Sequence, residues 1–133
     1  MRTHVETISV RYGETDRMGV AHHSSYLLWF EIGRTGLLRA AGHPYRELDA
    51  NGILLPVIEY GARFMLAADY DDKIEIETIV REIRSRVVTF DYVARRGGEI
   101  VATGFTRHAC MDESQRARRF PDYLTASIEP FRR

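Results

Sequence analysis

Apolar and polar residues alternate along most of this chain, which is the pattern of half-buried β-strands. The first alternating stretch runs from His4 to Tyr12 and places Ile8, Val10 and Tyr12 on one face. Further alternating stretches cover residues 58–66, 74–81, 88–94 and 100–111. A Gly-Gly pair before the last stretch predicts a hairpin turn. The pattern therefore predicts five strands, with the last four joined in hairpin succession.

A long helix is predicted between the first two strands, over residues 26–41. Its apolar side chains lie at helical spacing and spread around its first half, as expected of a helix wrapped by other structure. Ser24 or Ser25 is expected to be its N-cap. Gly33 and Gly36 lower the helical propensity, and we expect them to allow the close approach of a neighbouring backbone.

Two shorter helices are expected over 45–50, behind Pro44, and over 121–128, behind Pro121. One strand, one long helix and then a run of strands is an α+β pattern with a mostly antiparallel sheet. A helix of about 16 residues spans about 24 Å, so a strongly curved sheet can wrap around it. With 133 residues and no repeat or linker, the whole chain 1–133 is expected to form a single domain.

The composition limits the cellular compartment and the kinds of partner that we expect for this protein. Lys and Arg total 19 and match 19 Asp and Glu, so the positive field that non-specific nucleic-acid binding requires is missing. No apolar run approaches the roughly 20 residues of a membrane span. Cys110 is the only cysteine, and the first residues do not resemble a signal peptide. We therefore expect a cytoplasmic protein without a membrane span or a nucleic-acid partner.

Ionisable residues gather in the loop between the first strand and the long helix, where Glu14, Asp16, His22 and His23 follow one another. Loops carried on a rigid scaffold are where catalytic groups concentrate. The residues alone leave three interpretations open. Asp16 is a turn residue that bonds its own backbone, or a catalytic carboxylate, or a metal ligand together with the histidines. Adjacent histidines lack the i, i+4 spacing that makes two ligands converge.

The stretch from Tyr12 to Tyr26, YGETDRMGVAHHSSY, resembles the signature of the 4-hydroxybenzoyl-CoA thioesterase-like, or YbgC-like, acyl-CoA thioesterases. The shared features are a Thr-Asp-x-x-Gly-Val core, a His seven residues after the Asp and a Tyr three residues later. The similarity continues through LPV at 55–57, YDD at 70–72 and IRS at 83–85. It implies the hotdog fold, in which a curved five-stranded sheet wraps one long helix.

The resemblance also implies the chemistry. Asp16 corresponds to the catalytic carboxylate, which acts as a general base on water or as a nucleophile on the thioester carbonyl. The backbone N–H of His23, at the helix N-terminus, would donate to the thioester oxygen, and its imidazole would orient water. Gly19, Val20 and Tyr26 would contact the substrate. The resemblance implies neither a cofactor nor a metal ion.

Basic residues supply two candidate sites for the phosphates of CoA. Arg84 and Arg86 flank the turn between the third and fourth strands, where the family tends to place cations near the nucleotide. Since arginine is the usual cation of this chain, the alternative is a solvated surface. Arg116, Arg118 and Arg119 form a second cluster, which serves the same purpose or is a solvated tail.

The expected substrate is an acyl-CoA, with an acyl carrier protein as an alternative donor. A single hotdog unit leaves one strand edge uncovered, so we expect a homodimer or homotetramer. Two other functions stay open: a hotdog dehydratase and a non-catalytic protein that binds acyl-CoA or acyl carrier protein. Asp16, with its neighbours Thr15 and Gly19, favours catalysis, because binding alone does not require a carboxylate beside a thioester.

Overall fold

The computed structural model describes residues 1–133 and contains five strands and three α-helices. In chain order the elements are β1 His4–Ser9, a 3₁₀ turn Tyr12–Glu14, α1 His23–Ala40, α2 Tyr45–Ala50, β2 Val57–Phe64, β3 Lys73–Ile83, β4 Val87–Arg96, β5 Glu99–Ala109, α3 Asp122–Ile128 and a 3₁₀ turn Glu129–Phe131. The predicted α+β pattern is confirmed. None of the helices combines the length and hydrophobicity that crossing a membrane requires.

The strands form one sheet in the order β1-β3-β4-β5-β2, and all neighbours are antiparallel. The predicted hairpins β3–β4 and β4–β5 are confirmed. The hairpin predicted between β2 and β3 is wrong, because β1 occupies the edge of β3 and β2 pairs with β5 at the far side. Residues 65–72 instead form a crossover loop, held by hydrogen bonds from Ala21 N–H to Ala68 C=O and from Val10 N–H to Asp72 C=O.

The first strand ends at Ser9, three residues earlier than predicted, and Tyr12 is 79% exposed rather than buried. The cause is the 3₁₀ turn that follows. Glu14 N–H donates to the Arg11 C=O, and the Glu14 carboxylate accepts from the Arg11 N–H at 2.8 Å. The chain therefore leaves the sheet and turns toward the helix.

The long helix α1 begins at His23, three residues before the predicted start. Its N-cap is His22 rather than Ser24 or Ser25, because His22 Nδ1 accepts the Ser24 N–H at 3.2 Å. The helix packs on the inner face of the sheet, and its Phe30 ring stacks on the ring of Tyr92 with centroids 4.5 Å apart.

Gly33 and Gly36 do mark a close approach, but to side chains rather than to a neighbouring backbone. A Cβ at Gly33 would overlap the Thr78 side chain on β3, and one at Gly36 would overlap His4 and Glu6 on β1. The glycines therefore bring α1 down onto the edge half of the sheet.

Strand β2 lies at a free edge and is mostly exposed on both faces. Its apolar side chains include Ile58, Tyr60 and Phe64, each more than half exposed. The C-terminal segment, which contains α3 and the final turn, is packed into the core through Phe120, Leu124, Ile128 and Phe131.

Candidate functional site

A small hairpin carries Asp16 between β1 and α1. Asp16 N–H donates to the Val20 C=O at 3.0 Å, and Gly19, with φ of 82°, donates to the Asp16 C=O at 2.9 Å. The Asp16 Oδ1 accepts from the Met18 N–H at 2.8 Å. The turn interpretation of Asp16 is therefore confirmed. It does not exclude chemistry, because Oδ2 accepts no hydrogen bond from the protein.

The N-terminus of α1 leaves one backbone donor unused. His22 N–H donates to the Glu14 C=O, Ser24 N–H to His22 Nδ1, and Ser25 N–H to the His22 C=O. His23 N–H has no acceptor in the protein. It lies at the positive end of an 18-residue helix, where a backbone donor can stabilise a developing negative charge.

An apolar pocket of about 270 Å³ opens beside this N-terminus. Its lining combines the loop, the first turn of α1 and the segment that ends β2: Val20, Ala21, His23, Tyr26, Phe64, Met65, Leu66 and Ala67. Burial raises the pKa of the Tyr26 hydroxyl, against the opposing charge of Arg96, so the hydroxyl is neutral. Three predicted site residues, Val20, His23 and Tyr26, therefore meet in one pocket, with Asp16 and Gly19 on the adjoining hairpin.

The pocket wall from β2 was missed in the sequence. Phe64 contacts Tyr26 edge to face, with ring centroids 5.0 Å apart. The available signal was the apolar run FMLAA at 64–68, where a strand with one buried face should alternate. Phe64, Met65, Leu66 and Ala67 all line the pocket, so successive residues of this segment are apolar.

The adjacent histidines His22 and His23 were the candidate metal ligands in the sequence. The rings of His22 and His23 lie with centroids 4.0 Å apart. No group of three or more His, Cys, Asp or Glu side chains is placed to hold a metal ion.

Arg84 and Arg86 lie in the β3–β4 turn, as predicted, but far from Asp16 within one chain. Val57 at the start of β2 and Val88 at the start of β4 both pair with His108 on β5, so the β3–β4 turn lies near the start of β2. The pocket lies at the other end of β2, at Phe64. Seven residue steps along a strand cover about 23 Å. The turn and the pocket are therefore at opposite ends of the sheet.

The second basic cluster lies against the same turn. Phe120 N–H donates to the Ser85 C=O at 2.6 Å. The Cys110 N–H donates to the Arg86 C=O, and the Cys110 C=O accepts from the Arg118 N–H, both at 3.0 Å. The two arginine clusters, separated by about thirty residues of sequence, therefore form one basic surface, which we call the arginine end (Arg84, Arg86, Arg116, Arg118 and Arg119).

The cations of the arginine end differ in their partners. Arg84 is paired with Glu82 at 2.9 Å, and this hydrogen bond raises the pKa of the guanidinium. Arg119 lies 4.0 Å from Asp122. Arg86, Arg116 and Arg118 form no ion pair with an acidic side chain. These three arginines are therefore the unpaired cations of this surface.

Comparison with known proteins agrees with this architecture. The family described as the thioesterase-like superfamily matches residues 10–128. YneP of Bacillus subtilis (strain 168) is 30% identical over 132 residues, which cover 95% of this chain and 96% of YneP. The acyl-CoA thioesterase YbgC of Haemophilus influenzae is 28% identical over 106 residues, 79% of this chain and 78% of YbgC.

A solved structure extends the likeness to three dimensions. The crystal structure of the DHNA-CoA thioesterase from Staphylococcus aureus has a TM-score of 0.90 to this chain at 27% identity, covering 98% of this chain and 93% of that one. The resemblance and the hotdog fold predicted from the sequence are confirmed. The chain belongs to the thioesterase-like superfamily.

Proposed function

We propose that this chain hydrolyses the thioester of an acyl-CoA to a free acid and CoA at the N-terminus of α1. The observation that carries the proposal is the unused N–H of His23, a residue that lines an apolar pocket, together with the Asp16 carboxylate on the adjoining hairpin, which keeps one oxygen free. Family membership and relatives named as acyl-CoA thioesterases support the same reaction.

In this reaction the acyl group occupies the apolar pocket and its thioester oxygen accepts the His23 N–H. Asp16 takes a proton from water, whose oxygen adds to the carbonyl carbon, or the carboxylate adds to that carbon itself. The tetrahedral oxyanion is stabilised by His23 N–H and the helix dipole, a donor typically worth about 3 to 4 kcal/mol. Collapse breaks the C–S bond, and the CoA thiolate leaves and is protonated. In the nucleophile route, water then hydrolyses the acyl-Asp16 anhydride.

A second copy of the chain would complete this site. The pocket wall formed by Phe64, Met65 and Leu66 is exposed at the end of β2, and a free strand edge is a surface for pairing. Two copies paired antiparallel along β2 would obey two-fold symmetry, which sets the start of one β2 beside the end of the other. The partner's arginine end would then lie on the side of this pocket. We propose that it binds the phosphates of CoA.

The test is Asp16→Asn, assayed by free-thiol release from a panel of acyl-CoA thioesters. The substitution keeps the side chain's size and its acceptor for Met18 N–H but removes the charge. General-base catalysis contributes about 10²- to 10⁴-fold, so kcat should fall at least about a hundredfold with a much smaller change in KM. His23→Ala should cost less, because its backbone N–H remains.

Asp49→Asn, an exposed carboxylate on α2, is the matched control and should retain wild-type kinetics. Near-wild-type hydrolysis by a folded Asp16→Asn protein would remove Asp16 from the mechanism. A wild-type protein that binds acyl-CoA but releases no thiol across the panel would replace the hydrolase with the binding-protein alternative.

A further inference from the structure

One backbone carbonyl ties the Asp16 hairpin to the helix. The Glu14 C=O accepts two hydrogen bonds, from the His22 N–H and from the Ser25 hydroxyl, each at 2.8 Å. Ser25 is only 4% exposed, and Glu14 is buried as well. A buried hydroxyl requires a partner, and the Glu14 C=O is the acceptor that Ser25 has.

The position of this carbonyl matters because Glu14 immediately precedes the hairpin and His22 immediately follows it. The bond from the His22 N–H to the Glu14 C=O joins the two ends of the hairpin. The bond from the Ser25 hydroxyl joins the start of the hairpin to the first turn of α1. His23, whose N–H is free, lies between His22 and Ser25 in the chain. The Ser25 bond therefore limits how far the first helical turn can move relative to Asp16.

We propose that Ser25 is a positioning residue, which sets the distance between the Asp16 carboxylate and the His23 N–H through the Glu14 carbonyl. The inference rests on the hydrolase function proposed above. Ser25 was expected to cap its own helix, but His22 has that role. The Ser25 hydroxyl instead bonds a residue eleven positions earlier, which a helix cap does not require.

Positioning and simple stabilisation make different predictions. A purely structural hydroxyl would lower the melting temperature and leave kcat unchanged in folded protein. A positioning hydroxyl changes kcat, because a misplacement of about 1 Å between reacting groups can cost about 10²-fold. Since the His22 bond to Glu14 survives, we expect a partial effect of about tenfold.

The experiment compares Ser25→Ala with Ser25→Thr, which keeps the hydroxyl, and with Ser24→Ala, the adjacent exposed serine. Free-thiol release is measured well below the melting temperature of each variant. We expect Ser25→Ala to lower kcat about tenfold with KM within about twofold, Ser25→Thr to recover most of the loss, and Ser24→Ala to match wild type.

A double-mutant cycle keeps the test independent of whether the Thr variant folds. In an Asp16→Asn background Ser25→Ala should lower kcat by less than about twofold, because the distance to the carboxylate no longer matters. The same tenfold loss in both backgrounds would overturn the positioning role, as would an unchanged kcat for Ser25→Ala in an active wild-type protein. A wild type that releases no thiol would overturn the hydrolase proposal and the positioning role together.

Discussion

At the scale of single residues, a buried chain of hydrogen bonds shows how the sheet accommodates polar side chains. His108 Nδ1–H donates to the Leu55 C=O at 2.9 Å, and His108 Nε2 accepts the Thr106 hydroxyl at 2.8 Å. The Tyr92 hydroxyl in turn donates to Thr106 Oγ1 at 2.5 Å. Burial lowers the pKa of His108 to about 4 and raises the pKa of Tyr92 to about 12. Both side chains are therefore neutral at pH 7.

This buried set of hydrogen bonds predicts that the folded protein loses stability in acid. The pKa of His108 is about 4 in the folded state against 6.5 for an unperturbed histidine, so the unfolded state binds more protons between these values. The stability due to neutral His108 is fully present above pH 6.5 and is lost as the pH falls toward 4. The free energy of unfolding should decrease by up to about 3 kcal/mol from this residue.

Urea denaturation of wild type and His108→Gln at several pH values checks this prediction. The variant should be less stable than wild type at neutral pH, because it disturbs the buried chain, but should lose less stability on acidification. Parallel pH profiles for the two proteins would show that another group is responsible for the acid sensitivity.

At the scale of elements, strand β2 is the surface most in need of a partner. Its unpaired edge and its exposed apolar side chains are features that a monomer avoids. We predict that the 15.4 kDa chain is a dimer or larger in light scattering at micromolar concentration. Tyr60→Lys, at a 60% exposed position, should shift it toward the monomer and lower thioesterase activity, because charge at the interface costs desolvation.

Val5→Lys is the matched control, since Val5 is an exposed apolar residue on β1 at the opposite edge of the sheet. It should leave both the assembly and the activity unchanged. A wild-type monomer, or a fully active monomeric Tyr60→Lys protein, would contradict the proposal that a partner completes the site.

At the scale of the whole molecule, the fold places the arginine end and the pocket at opposite ends of the sheet. We predict that Arg86→Ala and Arg118→Ala each raise KM for acyl-CoA by about tenfold, the typical effect of losing one charged hydrogen bond. KM for the same acyl group on pantetheine, which lacks the nucleotide phosphates, should not change. Arg46→Ala, an exposed arginine on α2, is the control.

The other interpretations of the arginine end predict different changes in KM. Unchanged KM values for both substrates would leave the arginine end as solvated surface. A rise in KM for an acyl carrier protein thioester, without one for acyl-CoA, would assign the same cations to an acidic protein donor.

The sequence alone determined the features that depend on neighbours along the chain. The bounds of α2 and the hairpins β3–β4 and β4–β5 were predictable because periodicity and turn residues act locally. The turn at Asp16 and the turn at Arg84 to Arg86 were predictable for the same reason. The family motif identified the loop that carries the ionisable residues.

Only the tertiary structure decided which distant segments meet. Periodicity records that a strand face is apolar but not which partner covers it, so the position of β2 beside β5 could not be predicted. The same limit applies to Phe64 in the pocket wall, to Arg118 beside Arg86 and to the Ser25 bond to Glu14. Each of these contacts joins residues at least eleven positions apart, and its formation depends on how the sheet curves around α1 rather than on any local preference.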